Sequence, residues 1–172
     1  METRTKDVTV TGLLIALVAA ATMMITIPVP ATEGFIHAGD GVIFFVAVFF
    51  GRKKGALAAG IGSAMADLLL GYTMWVIPTL IVKSIMGYLV GFIAEKGKQP
   101  HVGWVDVVSV SIGALWMSFG YLVAGTFLKG SFQVALAGWP WDLVQGFGGV
   151  VLFLPIAAAV SRTQFFKHQI HY

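Results

Sequence analysis

The 172 residues include no cysteine. That excludes disulfides and thiolate metal sites, and it leaves the redox compartment unreadable from this residue type. Charge is scarce as well: only 11% of residues are Asp, Glu, Lys or Arg, against about 25% in soluble domains. A water-soluble fold of this length would lack the polar surface to cover itself. No G-x-S-x-G, Walker A or H-E-x-x-H pattern occurs, and no nucleophile–base pair suited to hydrolysis emerges. A membrane-embedded lipid hydrolase or transferase using His37, Asp40 and Asp67 would show metal dependence and turnover by the isolated chain; without those motifs the chain is read as a non-enzyme. His37-x-x-Asp40 supplies two metal ligands where a site needs three or more. The other histidines, His101, His168 and His171, are expected at the far side of the membrane, so neither a metal nor a cofactor is expected. There is no linker, low-complexity tract or internal repeat, which leaves one domain over residues 1–172.

Apolar sequence is what the chain has in quantity. It is 58% hydrophobic, with a mean hydropathy of +0.87. Six apolar segments are visible: Val8 to Ile27, Val42 to Phe50, Ala56 to Leu70, Val76 to Ala94, Trp104 to Phe127 and Leu143 to Val160. A span needs about 20 residues, so the second and third are short and predict a tight helical hairpin around Gly51-Arg-Lys-Lys-Gly55. A five-span count with a re-entrant second segment is the alternative. Pro28 and Pro30 are expected to end the first helix, Pro78 to open the fourth, Pro140 to precede the sixth and Pro155 to kink it; Pro100 falls in a loop.

The cations set an orientation. With six spans, Arg4, Lys6, Arg52, Lys53, Lys54, Lys96, Lys98, Arg162 and Lys167 lie on one side, Lys129 on the other, and Lys83 within a span. The expectation is an all-α polytopic membrane protein of six transmembrane helices with both termini cytoplasmic. The outer face would carry loops 28–40, 71–77 and 128–142, with Glu33, His37, Asp40, Tyr72, Trp75, Trp139, Trp141 and Asp142.

Lys83 is the most informative single residue. A cation inside an apolar span costs roughly 2.5–3.5 kcal/mol on insertion scales. It therefore needs a partner, a wet cavity or a ligand, unless it snorkels to the interface. Asp67 is a candidate counter-charge or ligand acceptor; the plainer reading is a helix cap or an interfacial acid. Tyr72, Trp75, Tyr121, Trp139 and Trp141 gather at the outer level, where aromatic belts occur without any ligand. Asp142, Gln145 and Lys83 add hydrogen-bonding groups at that level, and apolar walls with a few convergent polar groups make a small-molecule site. Gly12, Ala16 and Ala20 recur every four residues on the first helix, a small-residue ridge that admits a second helix closely. Gly55-Ala59-Ser63 and Gly87-Gly91 form similar ridges, read as internal packing.

The ordered run Ile36-His-Ala-Gly-Asp-Gly-Val-Ile43, Phe49-Phe-Gly-Arg-Lys-Lys-Gly-Ala56, Gly62-Ser-Ala-Met-Ala-Asp-Leu-Leu-Leu-Gly-Tyr72 and Trp75-Val-Ile-Pro-Thr-Leu-Ile-Val-Lys83, followed by Gly87, resembles the substrate-binding S component of energy-coupling factor (ECF) vitamin transporters. The likeness extends over about residues 8–165. It implies a six-helix protein of the prokaryotic plasma membrane, without enzymatic activity, that captures a vitamin or its precursor from outside. It also implies a membrane coupling subunit of the EcfT type and two cytoplasmic ATPases as partners, with the S component toppling in the membrane to deliver its ligand. By the family's Ala-x-x-x-Ala motif, Ala16 and Ala20, with Gly12 on the same ridge, would face the coupling subunit. The resemblance points to hydroxymethylpyrimidine or pyridoxine as ligand; the residues expected to bind it, from the outer-level reading above, are Lys83, Asp67, Tyr72, Trp75, Trp139, Asp142, Gln145, His37 and Asp40. S components for pantothenate, riboflavin, thiamin or a queuosine precursor are alternatives, as is a free-standing small transporter.

Overall fold

The computed structural model describes residues 2–29, 34–97 and 102–162. Pro30, Glu33, Lys98, Pro100, His101, Lys167, His168 and His171 lie outside the described residues. The element order is α1 (Glu2–Met24), strands β1 (Thr26–Val29) and β2 (Gly34–His37), α2 (Asp40–Leu69), a 3-10 turn (Thr73–Trp75), α3 (Val76–Ala94), α4 (Trp104–Lys129) and α5 (Phe132–Ser161). Among the described residues, four stretches are long and apolar enough to cross a membrane: Arg4–Met24, Thr73–Ala94, Trp104–Lys129 and Phe132–Ser161. The chain is thus a multi-pass, helical membrane protein.

The six expected segments appear as five helices, because the second and third run together as α2. The join is Gly51, with φ +83° and ψ 170° inside the helix. Only glycine adopts such a φ cheaply. The chain reverses there: Asp40 faces Lys83 and Gly91 lies against Ala47, so the first arm runs alongside α3, whereas Gly55 meets Gly87 and Gly60 meets Ser84 and Leu80, so the second arm runs against it. A Cβ on Gly87 would sit 2.3 Å from the Gly55 carbonyl oxygen. Contact that close between backbones is what small-residue ridges permit where lipid removes the hydrophobic drive between helices.

Three other expectations are corrected. The link from α1 to α2 carries a two-stranded antiparallel hairpin, pairing Thr26 with His37 and Val29 with Gly34; Pro28 is tolerated because β1 is an edge strand. The expected outer loop 128–142 is mostly helix. Gly130, at φ +63°, ends α4, and Ser131 caps α5 by accepting from the Val134 N–H at 3.4 Å. Pro140 consequently lies inside α5, as does Pro155. Membrane helices accommodate such prolines by finding other partners for the freed carbonyls.

The core is a layer of Val18, Ile43, Phe44, Met86, Val90, Val110, Met117 and Phe153, with alanines at the closest approaches. Leu14, Val18, Ala19 and Thr22 turn inward on α1, whereas Gly12, Ala16 and Ala20 are exposed. One end of the bundle carries the hairpin, the 3-10 turn and the facing ends of α3, α4 and α5. The opposite end carries the Gly51 bend, an Arg52–Glu95 ion pair at 3.5 Å and a Lys54–Asp7 pair at 2.7 Å.

Candidate functional site

Spacing four apart brings the site's side chains onto common helix faces. Trp75 ends the 3-10 turn and Thr79 and Lys83 follow it down α3, Tyr121, Gly125 and Lys129 share a face at the end of α4, and Asp142 and Gln145, three apart, share a face of α5. Between them lies an open cavity, with about 570 Å³ of atom-free space when the solvent at its open mouth is included. It is lined by Phe35, His37, Asp67, Trp75, Thr79, Tyr121, Gly125, Lys129, Ala135, Asp142 and Gln145. The β2 strand supplies Phe35 and His37, so the hairpin forms one wall.

Lys83 is not among the lining residues. It is fully buried beneath the cavity, where its ammonium pairs with Asp40 Oδ1, donates to Met117 Sδ at 2.9 Å and lies 5.7 Å from the centre of the Tyr121 ring. Snorkelling is therefore excluded; Lys83, expected to bind ligand, stands outside the cavity lining, and Asp40, the first residue of α2, satisfies it. Asp67, the other candidate counter-charge, stands on the last turn of α2.

Gln145 joins this buried pair to the hairpin. Its Nε2 donates to Asp40 Oδ2 at 2.9 Å, and its Oε1 accepts from the His37 backbone N–H at 3.1 Å. His37 Nδ1 accepts from the Gly39 N–H at 3.1 Å. The neutral ring must then carry its proton on Nε2. Burial pushes the imidazole down to about 4; Lys83 adds to that effect and Asp40 opposes it. His37 is thus uncharged at neutral pH.

The aromatic wall is a corner. Trp75 meets Tyr121 edge-on at 5.8 Å, and Lys129 lies 5.9 Å over the Trp75 ring. Tyr121 donates to Thr79 Oγ1 at 3.1 Å, and Thr79 hydrogen-bonds the Asp67 carboxyl. Asp67 Oδ2 is sealed from water and has no hydrogen-bond partner among the described residues.

The structure thus brings His37, Asp67, Trp75, Asp142 and Gln145 of the expected set to the cavity. Tyr72 stands outside it, packing on Phe35 at 4.6 Å. Trp139 also stands outside, and Trp141 is exposed. Asp40 lies beneath the cavity with Lys83. Sequence reasoning missed Phe35, Thr79, Gly125 and Ala135 and read Lys129 only as a topological charge. The four-residue spacings of Trp75–Thr79–Lys83 and Tyr121–Gly125–Lys129 were the available signal. No group of three or more metal-ligating side chains occurs among the described residues.

With that geometry in view, relatives are informative. The sequence matches the model of the ECF-type riboflavin transporter S component family over residues 2–162. The chain belongs to this family. It is similar to the thiamine precursor transporter HmpT of Lactococcus lactis subsp. cremoris, 28% identical over 159 residues, covering 92% of this chain and 89% of that protein. It is also similar to an uncharacterized protein of Pyrococcus woesei, 36% identical over 135 residues, covering 78% of this chain and 88% of that one. The family is one of transporter S components, not of enzymes.

Proposed function

We propose that this S component captures a thiamine or vitamin B6 building block, hydroxymethylpyrimidine or pyridoxine, at the outer face of a prokaryotic plasma membrane. It passes the ligand to a membrane coupling subunit of the EcfT type driven by two cytoplasmic ATPases. The observation that carries this reading is the cavity itself. It has an aromatic corner at Trp75 and Tyr121 and a small set of convergent polar groups, at the end of an otherwise apolar bundle. Such a site suits a small flat ring with polar substituents. The precursor specificity of the Lactococcus relative supports the ligand class.

In this reading the two arms of α2 are separate spans, making six, with both chain ends and the Gly51 bend cytoplasmic. Arg52, Lys53, Lys54 and Lys96 at that end support the orientation. The hairpin is the lid: capture needs a desolvated ligand and a wall that closes over it. Gly12, Ala16 and Ala20 form the coupling contact. They are exposed on α1, a Cβ at Gly12 would meet nothing within 4 Å, and exposed Leu13 and Leu17 flank the strip.

The test is mass spectrometry of small molecules released from the purified protein, followed by calorimetric titration. Hydroxymethylpyrimidine or pyridoxine should be released and should rebind. Riboflavin is the second reading, favoured by the family match, and release of its yellow fluorescence would overturn the pyrimidine–pyridine assignment. Replacing Ala16 and Ala20 together with tryptophan should abolish ATP-dependent uptake while ligand affinity stays unchanged; uptake that survives removes the coupling contact.

A further inference from the structure

We infer that Asp67 is the specificity-determining acceptor of this cavity, reading an amino or ring N–H group on a heteroaromatic ligand and disfavouring anionic ones. The inference rests on the capture reading above and adds which chemical feature of the ligand is recognised.

The charge distribution is the first support. Lys83, the conspicuous cation of the sequence, is spent on Asp40 and does not line the cavity. The ionisable side chains at the wall are the carboxyls of Asp67 and Asp142, the ammonium of Lys129, the uncharged imidazole of His37 and the phenol of Tyr121. Two acids against one cation favour a neutral or cationic ligand that offers hydrogens, and disfavour a carboxylate or phosphate ester.

The second support is an unsatisfied acceptor. Among the described residues, Thr22 Oγ1, Ser63 Oγ, Trp139 Nε1 and Asp67 Oδ2 are the buried side-chain polar atoms without a hydrogen-bond partner. Only Asp67 belongs to the cavity lining. It is 5% exposed, so water does not compensate it. The Tyr121–Thr79–Asp67 hydrogen-bond chain engages and orients the carboxyl from one side and leaves Oδ2 without a donor. A buried carboxylate oxygen lacking a donor is unfavourable until one arrives. A ligand ring packed against Trp75 and Tyr121 would bring an edge N–H to the neighbouring Asp67. Hydrogen bonds to a charged acceptor discriminate sharply, because the analogue lacking the donor leaves the acceptor buried and empty.

The experiment is calorimetry on the full chain in nanodiscs. The probes are hydroxymethylpyrimidine, its analogue with the ring amino group replaced by hydrogen, pyridoxine, riboflavin and pantothenate. The amino compound should bind about tenfold or more tighter than its deamino analogue. Asp67→Asn should remove that difference without moving the melting temperature. The comparison of the two ligands on the unaltered protein stands even if the variant folds poorly. Equal affinity of the amino and deamino compounds overturns the inference while leaving pyrimidine capture intact. So does an Asp67→Asn variant that binds the amino compound as tightly as the parent. Tight binding of pantothenate overturns it as well, because an anion would then be accepted. Failure of every probe to bind removes the capture reading and this inference with it.

Discussion

Asp40 and Asp67 stand near opposite ends of α2, yet the bend at Gly51 returns both to the same end of the bundle, against Lys83 and Thr79, one turn apart on α3. Both are buried acids. Asp40 has Lys83 on one oxygen and the Gln145 amide on the other, whereas Asp67 keeps one oxygen unpartnered. A carboxylate with both oxygens engaged by the protein holds the fold together. One left incomplete beside a cavity is available to something that enters. The two residues carry the same chemistry, and their surroundings divide structural work from recognition.

The largest effect should come from breaking the satisfied site. Lys83→Met leaves Asp40 as an uncompensated buried charge, and removing one partner of such a pair costs about 3–5 kcal/mol. Unfolding in detergent should show the loss, and adding Asp40→Leu to the same chain should recover much of it. A Lys83→Met variant as stable as the parent would mean that the pair is not structural. Asp67→Asn, by contrast, should leave unfolding unchanged, and a comparable destabilisation there would erase the distinction drawn between the two acids.

A smaller effect is expected at Gln145, which ties the Asp40 site to the hairpin. Gln145→Leu strands the Asp40 oxygen and the His37 backbone N–H, at about 1–3 kcal/mol in all. If the hairpin is the lid, ligand dissociation followed through Trp75 fluorescence should accelerate, about tenfold for each 1.4 kcal/mol that falls on the closed state. An unchanged dissociation rate would separate the hairpin from ligand retention.

The smallest effect concerns His37. Its folded-state pKa, about 4, lies below the ordinary 6.5, so between those values the unfolded chain binds more protons than the folded one. This contribution to stability is fully present above pH 6.5 and is lost progressively as pH falls toward 4. Melting of the parent should decline over that window more than melting of His37→Gln. Parallel declines in the two proteins would show that the imidazole is not sealed as described.

The outline of the fold was legible because lipid imposes simple rules: apolar length and flanking charge mark spans. Gly51-Arg-Lys-Lys-Gly55 announced a reversal by its composition, and the non-helical backbone of Gly51 makes it. The hairpin was invisible because Thr26 to Val29 continues the apolar run of α1, and its pairing depends on a distant strand. Five of the nine expected ligand residues reach the cavity, since each lies where an apolar face meets polar groups. Tyr72 and Trp139 stand outside the lining, since an aromatic at the outer level fits a belt, a core or a wall equally well.

Composition alone settled that this chain lives in lipid, because so little charge cannot clothe a soluble body. It also settled that Lys83 must be answered, because an ammonium in hydrocarbon is too costly to leave alone. Which acid answers it is a matter of packing. Only the folding back of α2 on α3 brings Asp40 to that nitrogen and sets Asp67 in the wall of the cavity, since both placements join residues far apart in the chain.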